Sequence, residues 1–482
     1  ATGSRVLHEI IFGCTYGFTG SRYTQRDAPV HRKFTLYQKD LEEIRRKEQA
    51  DPIRRTWTSG FFPLDSLRPF FNLTCFPVKG AVKWINLKLR AVSDCSAPHD
   101  GTSLNDGLEP EGISHTQFAK ACLLLAYLGA GTFMLSFDVV GAYKVPSFHI
   151  QDWHLVGESL PSGIAFHLKL MWGVTNAGDL FDRFGLMIEF ILRSHVPIKY
   201  LVRYCDDFCA FFPASTPNHV MAAIVVRIKL ICSHLGVDMA KWSPLYTTRI
   251  EWLGRVLDSV KMTAEITPAR CKRLVEEIHK VIDHGVKIPR KAVLSMHGHL
   301  QFCSTVVTYG KMFTKRLRRM VESKAFFFDI TPGVVEDLQW WLSMFTSWSD
   351  VSLLREPTWR DSFETTVFTD ASSSGIGVYW AGKWISISVP HEVLALATNR
   401  RRAVDISFLE MYAIAVACYT FGADWSRTKI RFRSDSKTCC DIFSKYRSKS
   451  PITQHLVRSI LMFAHIHNFE FRVSHIAGVL NV

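Results

Sequence analysis

The stretch that decides the reading is Tyr204-Cys205-Asp206-Asp207-Phe208. Two carboxylates stand side by side, with the largely apolar "PIKYLVR" before them and "CAFF" after them. Apolar flanks suggest a buried sheet, and a sheet does not bury two adjacent anions without a partner. A third acid, Asp138, lies in "SFDVVGAY", just after another apolar run. Carboxylates at the ends of neighbouring strands suit two divalent cations held about 3.5–4 Å apart, as phosphoryl transfer to a nucleotide requires. Mg²⁺ prefers such hard oxygen ligands, and bound cations compensate clustered anions. An isolated Asp-Asp is weak evidence, because surface turns often contain one. An aromatic-x-Asp-Asp between apolar strands, with a strand-end acid upstream, is far more specific.

Size and composition set the frame. The chain has 482 residues, enough for about three domains. At 47% hydrophobic and 21% charged it can bury a sizeable core, which excludes disordered and collagen-like classes. A net charge of +14 favours a polyanionic partner such as nucleic acid, with an anionic membrane surface as the competing reading. Basic clusters at 45–47, 315–319 and 400–402 carry part of that charge, and each alone reads as a solvated face. The 12 cysteines form no CxxC pair, so neither a zinc ladder nor a disulfide framework is indicated. Scattered cysteines suit a reducing intracellular setting, cytoplasm or nucleus. The longest uncharged run, "ACLLLAYLGAGTFMLSF" at 121–137, is short for a membrane span and contains two glycines. It predicts a buried helix followed by a buried strand, and no membrane partner. No signal-peptide pattern opens the chain.

The spacing of apolar and breaker residues divides the chain. Residues 1–60 are Arg-rich with little periodicity and read as an N-terminal extension. From 61 to 260, short strands alternate with helical stretches, with a loop at 99–107 and a helix ending at Gly236. From 261 to 345 the pattern is helical. Thr267 is the expected N-cap, Pro268 the first helical residue and Gly285 the terminator, with Leu274, Ile278 and Val281 as an apolar stripe. A polar, Trp-rich linker is expected at 346–362, and strand-like alternation resumes for 363–482.

The upstream acid and the "YCDD" box resemble the reverse transcriptases. Asp138 matches that family's first catalytic acid, and Tyr204 to Asp207 match its YxDD box. "LMWGVTNAGDLFDR" (170–183) is similar to the stretch between them; Gly173, Ala177 and Phe181 keep its pattern, while Trp172 and Asp179 depart from it. "LGVDMAKWSP" and "IEWLGRVLD" resemble later motifs and bring in Lys241. "LRAVSDCSAPHDGTSLND" looks like the fingers segment that holds the incoming triphosphate, with Arg90 the better-matched basic residue and Lys83 the weaker. "SMHGHLQF" and "DLQWW" resemble the thumb. The resemblance implies that Tyr143 stands beside the nucleotide sugar and rejects a 2′-hydroxyl. It also implies that Cys205 faces the primer end and the incoming nucleotide. Strand alternation puts Tyr204 and Asp206 on one face, and the resemblance implies a turn geometry that brings Asp207 close to the same site as the less direct ligand. Each residue also has a plainer reading: a core tyrosine for Tyr143, a turn or cap acid for Asp138, a solvated lysine for Lys241.

A second set of acids follows: Asp370 in "VFTDASSSGIGVYW", Glu410 in "SFLEMYAIAVA" and Asp435 in "IRFRSDSK". The order strand, helix, strand again fits carboxylates converging on two metals, here to activate water against a phosphodiester. The plainer readings are a capping box at Ser407-x-x-Glu410 and an N-cap at Asp435. The three acids after a Gly-rich hairpin resemble the ribonuclease H fold. "SHIAGVLNV" supplies His475, Gly478 and Asn481 of that family's late motif. The expected fourth carboxylate would fall a few residues beyond Val482, so either the chain continues or the element lacks that ligand.

The implied whole is a multidomain α+β and α/β protein, a right-hand polymerase (fingers, palm, thumb) followed by a ribonuclease H-like domain. Its implied activity is RNA-directed DNA polymerase with associated ribonuclease H. The cofactor would be Mg²⁺, with Mn²⁺ as substitute, two ions per site. The partners would be RNA template, DNA primer, RNA–DNA hybrid and dNTPs. "GTSLND" and "IFGCTYGF" look most like the tyrosine-recombinase (DIRS-like) retrotransposons. No protease, integrase or recombinase signature is present, which makes the chain one portion of a longer polyprotein. The rival readings are a non-catalytic, domesticated nucleic-acid-binding scaffold and an RNA-templated RNA polymerase.

Overall fold

The computed structural model describes residues 38–52, 54–67, 79–85, 88–96, 103–108, 118–307, 309–323, 325–347, 351–353, 359, 362–398, 403–446, 448 and 450–481. The "IFGCTYGF" stretch and the arginines at 400–402 lie outside the described residues. The chain forms two compact units. The first comprises 1–124 and 131–253, the second 125–130 and 254–482. Both mix helices with sheets, as the expected α+β class requires.

The first unit is organised by four strands: β1 (Phe133–Val139), β2 (Tyr200–Tyr204), β3 (Asp207–Phe212) and β4 (Met239–Ala240). Their spatial order is β2-β3-β1-β4. Phe137, Val139, Phe208, Ala210 and Phe212 belong to one buried cluster. Two helices, Ala177–His195 and Asn218–His234, add Phe181, Phe184, Ile188, Met221, Ile224 and Ile228 to it. Because successive strand residues point to opposite faces, Asp138 and Asp207 face away from that cluster. The run at 121–137 is a helix, Phe118–Leu128, followed by β1. The helix is two-faced, since Leu125 is fully buried while Tyr127 is exposed.

The expected extension contains a helix that hydrophobic periodicity does not reveal. Gln38–Ala50 is helical and is laced by i,i+4 pairs, Glu42 with Arg46 at 2.8 Å and Glu43 with Lys47 at 2.6 Å. Its buried face is Leu41 and, less expectedly, Arg45. The Arg45 guanidinium reaches Glu158 at 2.8 Å and Glu48 at 2.7 Å. Glu158 lies in the strand Gly157–Leu160 and is fully buried.

In the second unit the strands Arg255–Asp258 and Thr263–Ile266 precede the helices Pro268–His284, Arg290–Cys303, Lys315–Glu322 and Pro332–Ser347. Thr267, Pro268 and Gly285 occupy the expected cap, first-turn and terminator positions, with Gly285 at φ 64°. Five further strands follow: β5 (Thr366–Ala371), β6 (Gly375–Trp380), β7 (Lys383–Ser388), β8 (Lys429–Ser434) and β9 (Glu470–His475). They form one sheet in the order β7-β6-β5-β8-β9. β5, β6 and β7 pair antiparallel, and β8 joins β5 and β9 in parallel. The helix Ile406–Phe421 is apolar all round, and with its extension to Trp425 it is long and apolar enough to cross a membrane. In this unit Leu409, Ala413, Ile414 and Cys418 are fully buried, making it the core helix.

The stretch expected to be linker contributes Val351–Leu353 as a strand beside Thr263–Ile266. The helical and five-stranded regions are also joined by buried polar contacts. Asp337, on Pro332–Ser347, accepts from Arg458 at 2.5 Å and Arg316 at 3.0 Å. Phe313 stacks on Trp340 with centroids 3.8 Å apart. The buried Tyr309 hydroxyl accepts from the Phe471 amide at 3.3 Å. Such contacts tie the helical region and the five-stranded sheet of this unit together.

Removing one partner of a buried pair leaves the other charge uncompensated, at a cost of about 3–5 kcal/mol. Glu158→Gln should therefore lower the stability of the first unit by about that amount in urea unfolding. Adding Arg45→Met should recover more than half of the loss, while an unchanged midpoint in the single variant would show the pair to be inconsequential.

Candidate active sites

The first site lies where β1 and β3 pair. Asp138 and Asp207 are direct cross-strand partners in the antiparallel register, and direct partners share a face. Asp138 is buried, only 4% exposed. Asp207 is held up at about 6, first by burial and then by the neighbouring Asp206 and Asp138 carboxylates. Cys205 and Asp206 form the two-residue turn between the paired Tyr204 and Asp207. Asp206 therefore lies in the turn and not in the strand. Strand alternation thus does not extend to Asp206, and Asp207 is the strand acid set opposite Asp138. The turn is held in place by the Val139 amide, which donates to the Asp206 carbonyl at 3.2 Å.

Lys241 follows β4, whose Ala240 pairs with Asp138. At φ 51° its side chain turns back, and Nζ forms an ion pair with Asp138 Oδ2. This contact raises the lysine above its ordinary value, although the side chain itself is exposed. The other oxygen, Asp138 Oδ1, is buried with no hydrogen-bond partner among the described residues. An unsatisfied buried carboxylate oxygen opposite a second carboxylate fits a divalent cation.

Tyr143 lies in a short 3₁₀ turn after β1, not in a longer helix. Its ring meets Trp172 edge-on at 4.4 Å and Phe181 at 5.9 Å, and it packs on the same buried cluster as Cys205. Burial, then Cys205, pushes its hydroxyl up to about 12. The tyrosine is thus both a packing residue and a neighbour of the acidic turn. Cys205 itself is half-buried, and burial followed by Asp206 raises its thiol to about 11. Gly173, at φ 106°, has no room for a side chain, because a Cβ would stand 2.1 Å from the Ser93 carbonyl oxygen. Its own carbonyl accepts from Asn105 at 2.8 Å. Gly173 thus lies against the Ser93 backbone and is tied to the "SLND" segment by the Asn105 side chain. Lys83 and Arg90 oppose each other across the hairpin Lys79–Ile85/Lys88–Asp94, and their side chains lie outside the described residues.

The second site lies in the five-stranded sheet of the second unit. Asp370 ends β5, Asp435 follows β8, and Glu410 projects from the core helix. One ligand oxygen from each lies within 4.8 Å of the others. Glu410 is 1% exposed and accepts from the Ala371 amide and the Ser434 hydroxyl, both at 2.8 Å. Burial, then repulsion by Asp435 and Asp370, outweighs those bonds and holds it at about 7. Three converging carboxylates, one of them reluctant to ionise, fit a divalent cation by the same reasoning.

Both capping alternatives fail on the geometry. The helix beginning at Ile406 is capped by Asp405, which accepts from the Phe408 amide, so Ser407 lies within the helix. The helix Lys437–Lys445 is capped by Ser436, which leaves Asp435 free for the cluster. His475 stands exposed at the end of β9, paired with Ser434, and outside the carboxylate cluster. The chain then turns back over the site. Gly478 lies beside Asp435, and Asn481 Nδ2 donates to the Thr369 carbonyl at 3.0 Å.

The sequence reading passed over Arg203 and Gly185. Arg203 is 5% exposed and donates to the Cys205 carbonyl at 2.8 Å. Its signals were a lone charge at the end of an apolar strand and a glycine inside a helix.

No protein-family profile and no curated protein matches this sequence. Solved structures do. A foamy viral protease–reverse transcriptase, dRH, in complex with double-stranded DNA is 12% identical with a TM-score of 0.52, covering 94% of this chain and 73% of that one. A foamy viral protease–reverse transcriptase in complex with double-stranded DNA is 13% identical with a TM-score of 0.50, covering 96% and 87%. At such identity the likeness is one of fold, reverse transcriptase/ribonuclease H-like.

Glu410 yields a pH test. Its pKa is raised on folding, so its contribution to stability is full below about 4.5 and is lost as pH rises through about 7. With EDTA present, Glu410→Gln should raise the melting temperature by several degrees near pH 8 and much less near pH 5. Mg²⁺ should raise the wild-type value near pH 8 by more than that of the variant, in which only the first site is intact. Equal melting of both chains at both pH values would contradict the strained-carboxylate reading.

Proposed function

We propose that the chain is an RNA-directed DNA polymerase with an associated ribonuclease H, from a retroelement. The observation that carries this reading is the pairing of Asp138 with Asp207 beside the Cys205–Asp206 turn, in a fold like that of reverse transcriptases. In this reading Asp138, Asp206 and Asp207 hold divalent cations at the first site, and Asp370, Glu410 and Asp435 hold them at the second. Mg²⁺ or Mn²⁺, two per site, would activate the attacking oxygen and stabilise charge on the phosphate. Tyr143 bounds the sugar position against a 2′-hydroxyl. Lys241 offers an ammonium proton at Nζ beside the phosphates. Arg90, with Lys83 opposite it, holds the triphosphate. Cys205 shapes the contact with the primer end, and Gly173 keeps the fingers segment close.

The strand of four sheet elements and its acids correspond to a palm, the helices between 261 and 345 to a thumb, and residues 363–482 to the nuclease domain. His475 would assist at the second site from its rim. The primer 3′-hydroxyl would attack the α-phosphate of a dNTP, and RNA in the resulting hybrid would be cleaved at the second site. Template and primer would be gripped largely through phosphates, with binding that weakens steeply as salt rises. Among retroelements, "GTSLND" and "IFGCTYGF" favour a DIRS-like retrotransposon, acting in the cytoplasm or nucleus.

Primer extension on an RNA template tests the reading. Asp206→Asn should lower extension with dNTPs by at least about 100-fold, about 3 kcal/mol of lost transition-state stabilisation. Glu410→Gln should keep extension and lose cleavage of the RNA strand in a hybrid. Tyr143→Ala should admit ribonucleotides that the wild type rejects. Equal extension by Asp206→Asn would contradict the metal assignment. Extension with NTPs alone would favour an RNA-templated RNA polymerase, and hybrid binding without either activity would favour a scaffold.

A further inference from the structure

We propose that Arg203 is a positioning residue that sets the Cys205–Asp206 turn and, through it, the Asp206 carboxylate. The proposal rests on the polymerase reading of that site. Arg203 is the penultimate residue of β2, and its guanidinium is divided among three partners. Nη2 donates to Asp182 Oδ1 at 2.8 Å, and Nε lies 3.6 Å from Glu189 Oε2. Both acids belong to the helix Ala177–His195. The remaining arm, Nη1, donates to the Cys205 carbonyl at 2.8 Å. Two carboxylates offset the cation, so the turn receives a directional hydrogen bond more than a field.

The turn needs such a hold. Cys205 sits at φ 54°, in the left-handed region that costs free energy for a residue with a side chain. The carbonyls on either side of the Asp206 Cα are both restrained. That of Cys205 goes to Arg203, and that of Asp206 goes to the Val139 amide beside Asp138. Helix and strand thereby fix Asp206 from opposite sides. Gly185 makes the arrangement possible, since a Cβ there would stand 2.4 Å from Arg203 Nη1 and 2.7 Å from Cζ. A glycine inside a 19-residue helix is unfavourable in itself. Here it supplies the space the guanidinium occupies.

The test uses the full chain carrying Glu410→Gln, which silences the second cluster, and reads Mn²⁺ affinity by electron paramagnetic resonance alongside Mg²⁺-dependent primer extension. Arg203→Met and Gly185→Ala should each weaken Mn²⁺ binding and extension by about tenfold. The double variant should be no worse than either alone, because both disturb one contact. Adding Cys205→Gly to Arg203→Met should restore most of the lost Mn²⁺ affinity, since glycine adopts positive φ without strain. Arg203→Lys keeps a cation for Asp182 and Glu189 but cannot serve three partners at once. It should show the same loss if Arg203→Met fails to fold. Wild-type Mn²⁺ affinity in the Lys variant, multiplied losses in the double variant, or no restoration by Cys205→Gly would overturn the proposal. A chain that extends no primer contradicts the polymerase reading instead, and the Mn²⁺ comparison still decides the role of Arg203.

Discussion

The constraint on which the first unit depends is the placement of two carboxylates, Asp138 and Asp207, directly opposite one another at the end of a buried sheet. Like charges in such a position repel, and burial makes the repulsion expensive. The chain relieves it in two ways. Asp207 binds its proton more tightly than an ordinary aspartate, and Lys241 places an ammonium against Asp138. Both are reversible, so the site is a stored anionic potential that a divalent cation would release. The stacked rings of Phe137, Phe208 and Trp242 fix the strands beneath the acids and leave them little freedom to separate.

The second unit meets the same constraint with different parts. Its acids come from a strand end, a core helix and the residue after another strand, and the most buried of them, Glu410, is held by two hydrogen bonds. The helix is apolar on every side because the sheet and the helix Pro451–Ile466 enclose it. A single carboxylate in that setting has a geometric purpose more readily than a stabilising one. The buried Asp337–Arg316–Arg458 cluster in the same unit follows the opposite rule, with cations supplied by the protein itself.

Much of this was legible in the sequence where the signal is local. Thr267, Pro268 and Gly285 bound their helix as helix-terminus chemistry demands, and the apolar flanks of "YCDD" identified its strands. Elsewhere a local pattern has two solutions, and only the fold decides between them. Ser407-x-x-Glu410 has the spacing of a capping box, yet Asp405 takes the cap and frees Glu410 to turn inward. Alternation grouped Asp206 with Tyr204 because it counted through a residue that lies in the turn. The helix at 38–50 went unseen because its regularity is one of charge pairs and not of apolar residues. The coupling of Arg203 to Gly185, Asp182 and Glu189 is long-range, and no spacing within one segment encodes it.

The measurement closest to the central claim is anomalous diffraction from crystals of the full chain grown with Mn²⁺. The account predicts Mn²⁺ held by Asp138, Asp206 and Asp207 with Lys241 withdrawn from Asp138, and Mn²⁺ among Asp370, Glu410 and Asp435. Bare carboxylates at the first site, with Lys241 still paired to Asp138 at saturating Mn²⁺ and bound primer–template, would contradict it.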